Sequence, residues 1–130
     1  MAKYRNVQLS FWQDTKIIDQ FNPEDKLMYL YLMTNPYTSL CGCYAISKRA
    51  IAFETGYDLQ TVEKILFRLE NNLNVIRFSC ETSEVLILNW YKHNWTPSSK
   101  VMQGVQKGIE AVKNEEYKKY LYDVFSVFYG

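Results

Sequence analysis

The chain has 130 residues, 48% hydrophobic and 22% charged, a balance that fits one globular domain and excludes a disordered chain. Fifteen Lys and Arg against 14 Asp and Glu leave a net charge of +1, which excludes a molecule-wide field for concentrating nucleic acid or anionic membrane. No apolar run approaches the roughly 20 residues that span a bilayer, and the opening MAKYRNVQLS lacks the apolar core of a secretory signal, so a cytoplasmic protein is expected.

In chain order, YRNVQL alternates loosely and reads as an extended arm or edge strand. Ser10 with Gln13 fits a capping box, predicting a helix from Phe11 to Gln20 with Phe11, Trp12, Ile17 and Ile18 on its apolar side. Asn22-Pro23-Glu24-Asp25 is a stronger start: a capping residue, a proline at the first helical position, and two acids at the positive end of the helix dipole. That helix runs to Thr34, with Leu27, Met28, Leu30 and Tyr31 inward, and Asn35-Pro36 ends it. YTSLCG is turn-like and CYAI is a short strand.

Ser47 caps a third helix that Gly56 stops by supplying a left-handed residue, and Asp58 caps a fourth running to Asn71. Val62, Ile65, Leu66 and Leu69 recur there at helical spacing. NVIRFSC and EVLILNWY are strands joined by the turn ETSE. Ile76, Phe78 and Cys80 point inward in the first, and the second is apolar on both faces, hence more covered. KHNWTPSS is a linker. Val101, Val105, Ile109 and Val112 mark a further helix, which Gly104 and Gly108 each weaken by about 1 kcal/mol relative to alanine. Asn114-Glu115-Glu116 starts a last helix whose apolar set is Tyr117, Tyr120, Leu121, Val124, Phe125 and Phe128.

Helix, helix, short strand, helix, tight turn, helix and hairpin is the order of a winged helix, an elaborated helix-turn-helix. Ala52 is small where two helices must cross, Gly56 permits the turn's positive φ, and Val62 and Ile65 face inward on the second helix. The expected fold is therefore α+β, mostly helical: a winged helix-turn-helix over residues 1–95 with a C-terminal helical extension over 96–130. An ordinary helical hairpin in an α+β domain is the plainer alternative.

Fold does not settle function, so the charges matter. From Ser47 to Asn72 four positive residues, Lys48, Arg49, Lys64 and Arg68, meet four negative ones, Glu54, Asp58, Glu63 and Glu70. Gln60, Lys64, Arg68 and Asn71 have the hydrogen-bonding chemistry for base edges or phosphates, joined by Lys48 and Arg49 on the preceding helix and Arg77 on the hairpin. Glu63 and Glu70 would repel the backbone, as would Glu81 and Glu84 beside Arg77. Two or three usable cations release few counterions, so any DNA contact is expected to be weak and salt-sensitive.

Other chemistry is thinner. Cys41, Cys43, Cys80 and His93 would supply four soft zinc ligands, but not as paired knuckles, and packed reduced thiols are the expectation. His93 has no nucleophile or carboxylate at a recognisable spacing, and no glycine-rich phosphate loop is present, so neither enzyme nor cofactor is expected. NWYKHNW interleaves aromatics with a cation, which suits stacked bases; Trp90 and Trp95 packing the C-terminal helices onto the sheet is preferred. EEYKKYLYDVF carries a surplus of large apolar residues that suits a partner.

The blocks FWQDTKI, DKLMYLYLMTNPYTSLCGCYAIS, RAIAFETGYDLQTVEKILFRLE and LILNWYKHN resemble, in order, the N-terminal winged-helix domain of phage and prophage DnaD-like replication proteins, the replisome organisers. LCGCY is more cysteine-rich than that family's usual run. The resemblance implies an accessory of DNA-replication initiation that forms a homo-oligomer, helps to open or remodel an origin and brings in a helicase loader or helicase. It also implies a further C-terminal domain associated with DNA binding. A sequence-specific winged-helix transcriptional repressor is the alternative function.

Overall fold

The computed structural model describes residues 3–130. Among them are seven α-helices and one small antiparallel sheet, an α+β architecture that is mostly helical. None of these helices is long and apolar enough to cross a membrane.

The amino-terminal arm is extended rather than paired into the sheet, and Arg5 fastens it by donating to Thr38 Oγ1 at 2.8 Å and to the Thr38 carbonyl at 3.0 Å. The single helix expected over Phe11–Gln20 is two pieces, a 3-10 turn over Leu9–Gln13 and α1 over Thr15–Gln20. Asp14 makes the break: its backbone is extended and its carboxylate accepts from the Lys16 amide at 2.8 Å, so α1 is capped there. Ser10 instead reaches Gln8, and the new phase buries Ile17 while Trp12 and Ile18 are exposed.

Helix α2 (Pro23–Thr34) begins with the reciprocal cap that its sequence announces, Asn22 accepting from the Asp25 amide and Asp25 from the Asn22 amide. Its buried side runs through Asp25, Met28 and Leu32 and leaves Leu27 exposed, against expectation. Phase explains the shift, because drawing the Asp25 carboxylate inward turns position 27 outward.

Strand β1 (Cys43–Ala45), helix α3 (Lys48–Thr55), helix α4 (Leu59–Phe67), strand β2 (Ile76–Ser79) and strand β3 (Glu84–Ile87) follow. The Ser47 hydroxyl and Asp58 carboxylate cap the two helices, and Gly56 turns between them at φ 85°. Val62, Ile65, Leu66 and Leu69 are buried, and Ala52 packs against the same core. Helix α4 continues as a π-helical segment over Arg68–Asn72. The wider turn brings both Leu69 and Leu73 to the core.

The sheet order is β1-β3-β2, with Phe78 opposite Val85 and Tyr44 on the other side of Val85. β3 is buried at all four positions, as its two apolar faces require. Cys80 lies one residue past the end of β2 and is exposed, not inward, because the alternation stops where the strand does. This arrangement of helices and hairpin is compatible with a winged helix.

Part of the expected linker is helical: α5 covers Trp90–Asn94. Trp90 and Trp95 are buried, and both indole N–H groups donate to the Leu40 carbonyl, at 2.9 and 2.8 Å. Helices α6 (Ser99–Glu110) and α7 (Glu115–Tyr129) share the one core through Val105, Ile109, Val112, Tyr117 and Leu121. The α6 glycines let that helix lie against the Leu40–Cys41 turn, since a Cβ on Gly104 would fall 2.5 Å from Leu40 Cδ1 and one on Gly108 would fall 3.1 Å from Cys41 Sγ. At the start of α7, Glu84 is not a surface repeller: its buried carboxylate accepts from the amides of Lys113 and Asn114 at 2.8 Å each.

Candidate nucleic-acid interface

The residues expected to touch DNA lie on α3, on α4 with its π-helical continuation, and on β2, but the fold uses several of them internally. Arg68 is the clearest case. Its Nε and Nη2 donate to the two carboxylate oxygens of Asp25 at 3.1 and 2.7 Å, an ion pair across 43 residues of chain. Asp25 is fully buried while the Arg68 side chain is part-exposed, so the guanidinium is what satisfies a carboxylate out of reach of water. The hydrogen bond to Asp25, then its charge, raises the Arg68 pKa further. Arg68 therefore has a structural role, with two of its donors committed to Asp25.

Lys48 and Arg77 are also engaged. Lys48 Nζ sits 3.4 Å from the Glu63 carboxylate and 5.4 Å from the centroid of the Phe78 ring, bridging α3, α4 and β2. Arg77 is half-buried and donates to the carbonyls of Ile76 and Glu70 at 2.8 and 3.4 Å. Both cations are turned toward protein. Asn71 is exposed, with its amide nitrogen donating to the Phe67 carbonyl at 3.1 Å.

Gln60, Lys64 and Arg49 remain exposed, and neither Lys64 nor Arg49 has an ion-pair partner among the described residues. Gln60, Lys64 and Phe67 recur at helical spacing, so they form one outward stripe on α4. Acids around this stripe are engaged as well: Glu63 holds Lys48, and Glu54 accepts from the Tyr31 hydroxyl at 2.5 Å. Asp58 caps α4, and hydrogen bonds from Thr61, side chain before backbone, hold its pKa below the usual carboxylate value.

The face is more aromatic than its charges suggest. Phe67 is 63% exposed at the end of the stripe, and Phe53 on α3 is 89% exposed. Phe53 was not among the sequence candidates. Its signal was its place in RAIAFET, where Ile51 is the inward residue and a side chain two positions on points away from it.

The remaining candidates differ in burial. Cys41 and Cys43 are buried, and burial raises both thiol pKa values. His93 is exposed on α5. Trp95 packs with Tyr91, Phe125, Phe128 and Tyr129 at centroid separations of 5.7 to 6.3 Å, so the two tryptophans of NWYKHNW serve the core.

Comparison with models of known protein families, with curated proteins and with solved structures gave no match.

Proposed function

We propose that the chain is a non-enzymatic, cytoplasmic accessory of DNA-replication initiation, a winged-helix module of the DnaD-like kind that self-associates and touches DNA weakly. The α3–turn–α4 unit followed by the β2–β3 hairpin is the module, and the resemblance of its sequence blocks to replisome organisers supplies the process. A helicase loader or helicase is the further partner this reading implies.

The observation that carries the weak-contact half is the engagement of Lys48 and Arg68 in ion pairs and of Arg77 with backbone carbonyls, which leaves Arg49 and Lys64 as the exposed cations of the face. Two phosphates neutralised correspond to a slope of about −2 in log affinity against log salt. Self-association is supported by the exposed Leu9, Trp12 and Ile18 near the amino terminus and Val127 on α7.

Fluorescence anisotropy with unrelated duplexes at two salt concentrations tests the DNA half: sequence-tolerant binding with that shallow slope is expected, and Arg49→Ala with Lys64→Ala is expected to abolish it. Tight capture of a single sequence at physiological salt would instead establish the repressor reading. Light scattering tests the other half, and a monomer at high micromolar concentration overturns self-association.

A further inference from the structure

A cleft of about 470 Å³ lies away from the cations of the proposed interface, walled by the arm and 3-10 turn, by α1 and α2, and by the segments that flank β2 and β3 and form α5. Its volume is that of a small-molecule site. Apolar surface comes from Ile17, Tyr29 and Trp90, while Lys16, Lys92 and His93 line it with basic groups. The acid among the lining residues, Asp14, is already engaged by the Lys16 amide at 2.8 Å. With His93 neutral, the two lysines outnumber Asp14 by one.

Two turns frame the cleft. Asn74 and Asn89 both line the cleft and both hold positive φ, 54° and 64°, and Ser83 is the other non-glycine residue to do so among those described. Asparagine takes this conformation readily, and the two turn the chain into β2 and into α5. Asn89 precedes α5 yet makes no side-chain cap, which leaves its amide uncommitted to that helix.

We propose that this cleft binds a compact organic anion, its carboxylate or phosphate headgroup at Lys16, Lys92 and His93 and its apolar or aromatic body against Ile17, Tyr29 and Trp90. The inference stands apart from the replication reading, because it rests on none of the residues proposed to meet DNA.

The test is a nitrogen-15 amide NMR titration of the full chain with phenylacetate, phenyl phosphate and the uncharged phenylacetamide. Either anion is expected to shift the resonances of Asn74, Asn89 and Trp90, and the stronger of the two identifies the headgroup. Phenylacetamide is expected to bind at least about tenfold more weakly, the loss of one good charge contact. Lys16→Gln with Lys92→Gln, the first half-buried and the second exposed, is expected to weaken the anions by a similar factor without altering shifts elsewhere. Absence of cleft shifts with both anions, or equal binding of the charged and uncharged probes, overturns the proposal; the wild-type comparison decides this even if the double variant unfolds.

Discussion

Two glycines at positive φ, Gly42 before β1 and Gly56 between α3 and α4, answer the same backbone need in opposite surroundings. A Cβ on Gly56 would meet nothing within 4 Å, whereas one on Gly42 would fall 2.5 Å from Cγ and 2.7 Å from Cβ of Trp90. The α3–α4 turn is thus set by local geometry and opens to solvent. The Leu40–Cys43 turn is set by packing: its carbonyl at Leu40 takes both indole donors and its Cys41 side chain meets α6. The more legible turn in sequence is the more forgiving one in structure.

Substitution at the two glycines should separate these regimes most widely. Gly42→Ala combines left-handed strain of about 1–2 kcal/mol with overpacking of about 1–3 kcal/mol, and a loss of roughly 2–5 kcal/mol is expected in urea denaturation. A loss no larger than that of Gly56→Ala would dissolve the contrast. Gly56→Ala itself should lose only the strain, about 1–2 kcal/mol, with the near-ultraviolet signal of the tryptophans unchanged.

Gly104→Ala sharpens the same comparison at lower amplitude. The new methyl meets the end of the Leu40 side chain, which can turn aside, and alanine favours the helix by about 1 kcal/mol. Stability within about 1 kcal/mol of wild type is expected; a loss as large as that of Gly42→Ala would show that the turn cannot yield even at its flexible edge.

The smallest perturbation is chemical. Burial raises the pKa of Cys41 and Cys43 in the tight turn, while Cys80 is exposed beyond β2. Native protein at pH 8 should therefore release about one equivalent of thionitrobenzoate quickly from a disulfide reagent, and denatured protein three, one for each cysteine. Rapid reaction of more than one native thiol would mean that the Leu40–Cys43 turn opens readily.

Much of the element plan was legible because it rests on contacts within a few residues. Asn22, Ser47, Asp58 and Asn114 each cap the helix that their chemistry predicts, and Gly56 adopts the left-handed turn. The misreadings come where two local signals compete or a distant partner decides. Asp14 outcompetes Ser10 as a cap and moves the phase of α1, and Asp25 turns inward because Arg68 reaches it from 43 residues away. Within the candidate interface, the positions of Lys48, Arg68 and Arg77 were legible but their availability was not. Each is drawn away by a partner on another element or by a backbone carbonyl.

By itself the sequence determined where α2, α3, α4 and α7 start and where the left-handed turn at Gly56 falls, since these follow from steric and hydrogen-bonding rules that act over one or two turns of chain. Only the tertiary structure decided which charges remain free, which glycine is jammed against an indole, and that Glu84 holds the start of α7 rather than repelling a phosphate. Burial and ion pairing depend on which surfaces meet, and residues 30 or 43 positions apart become neighbours only once the core has formed.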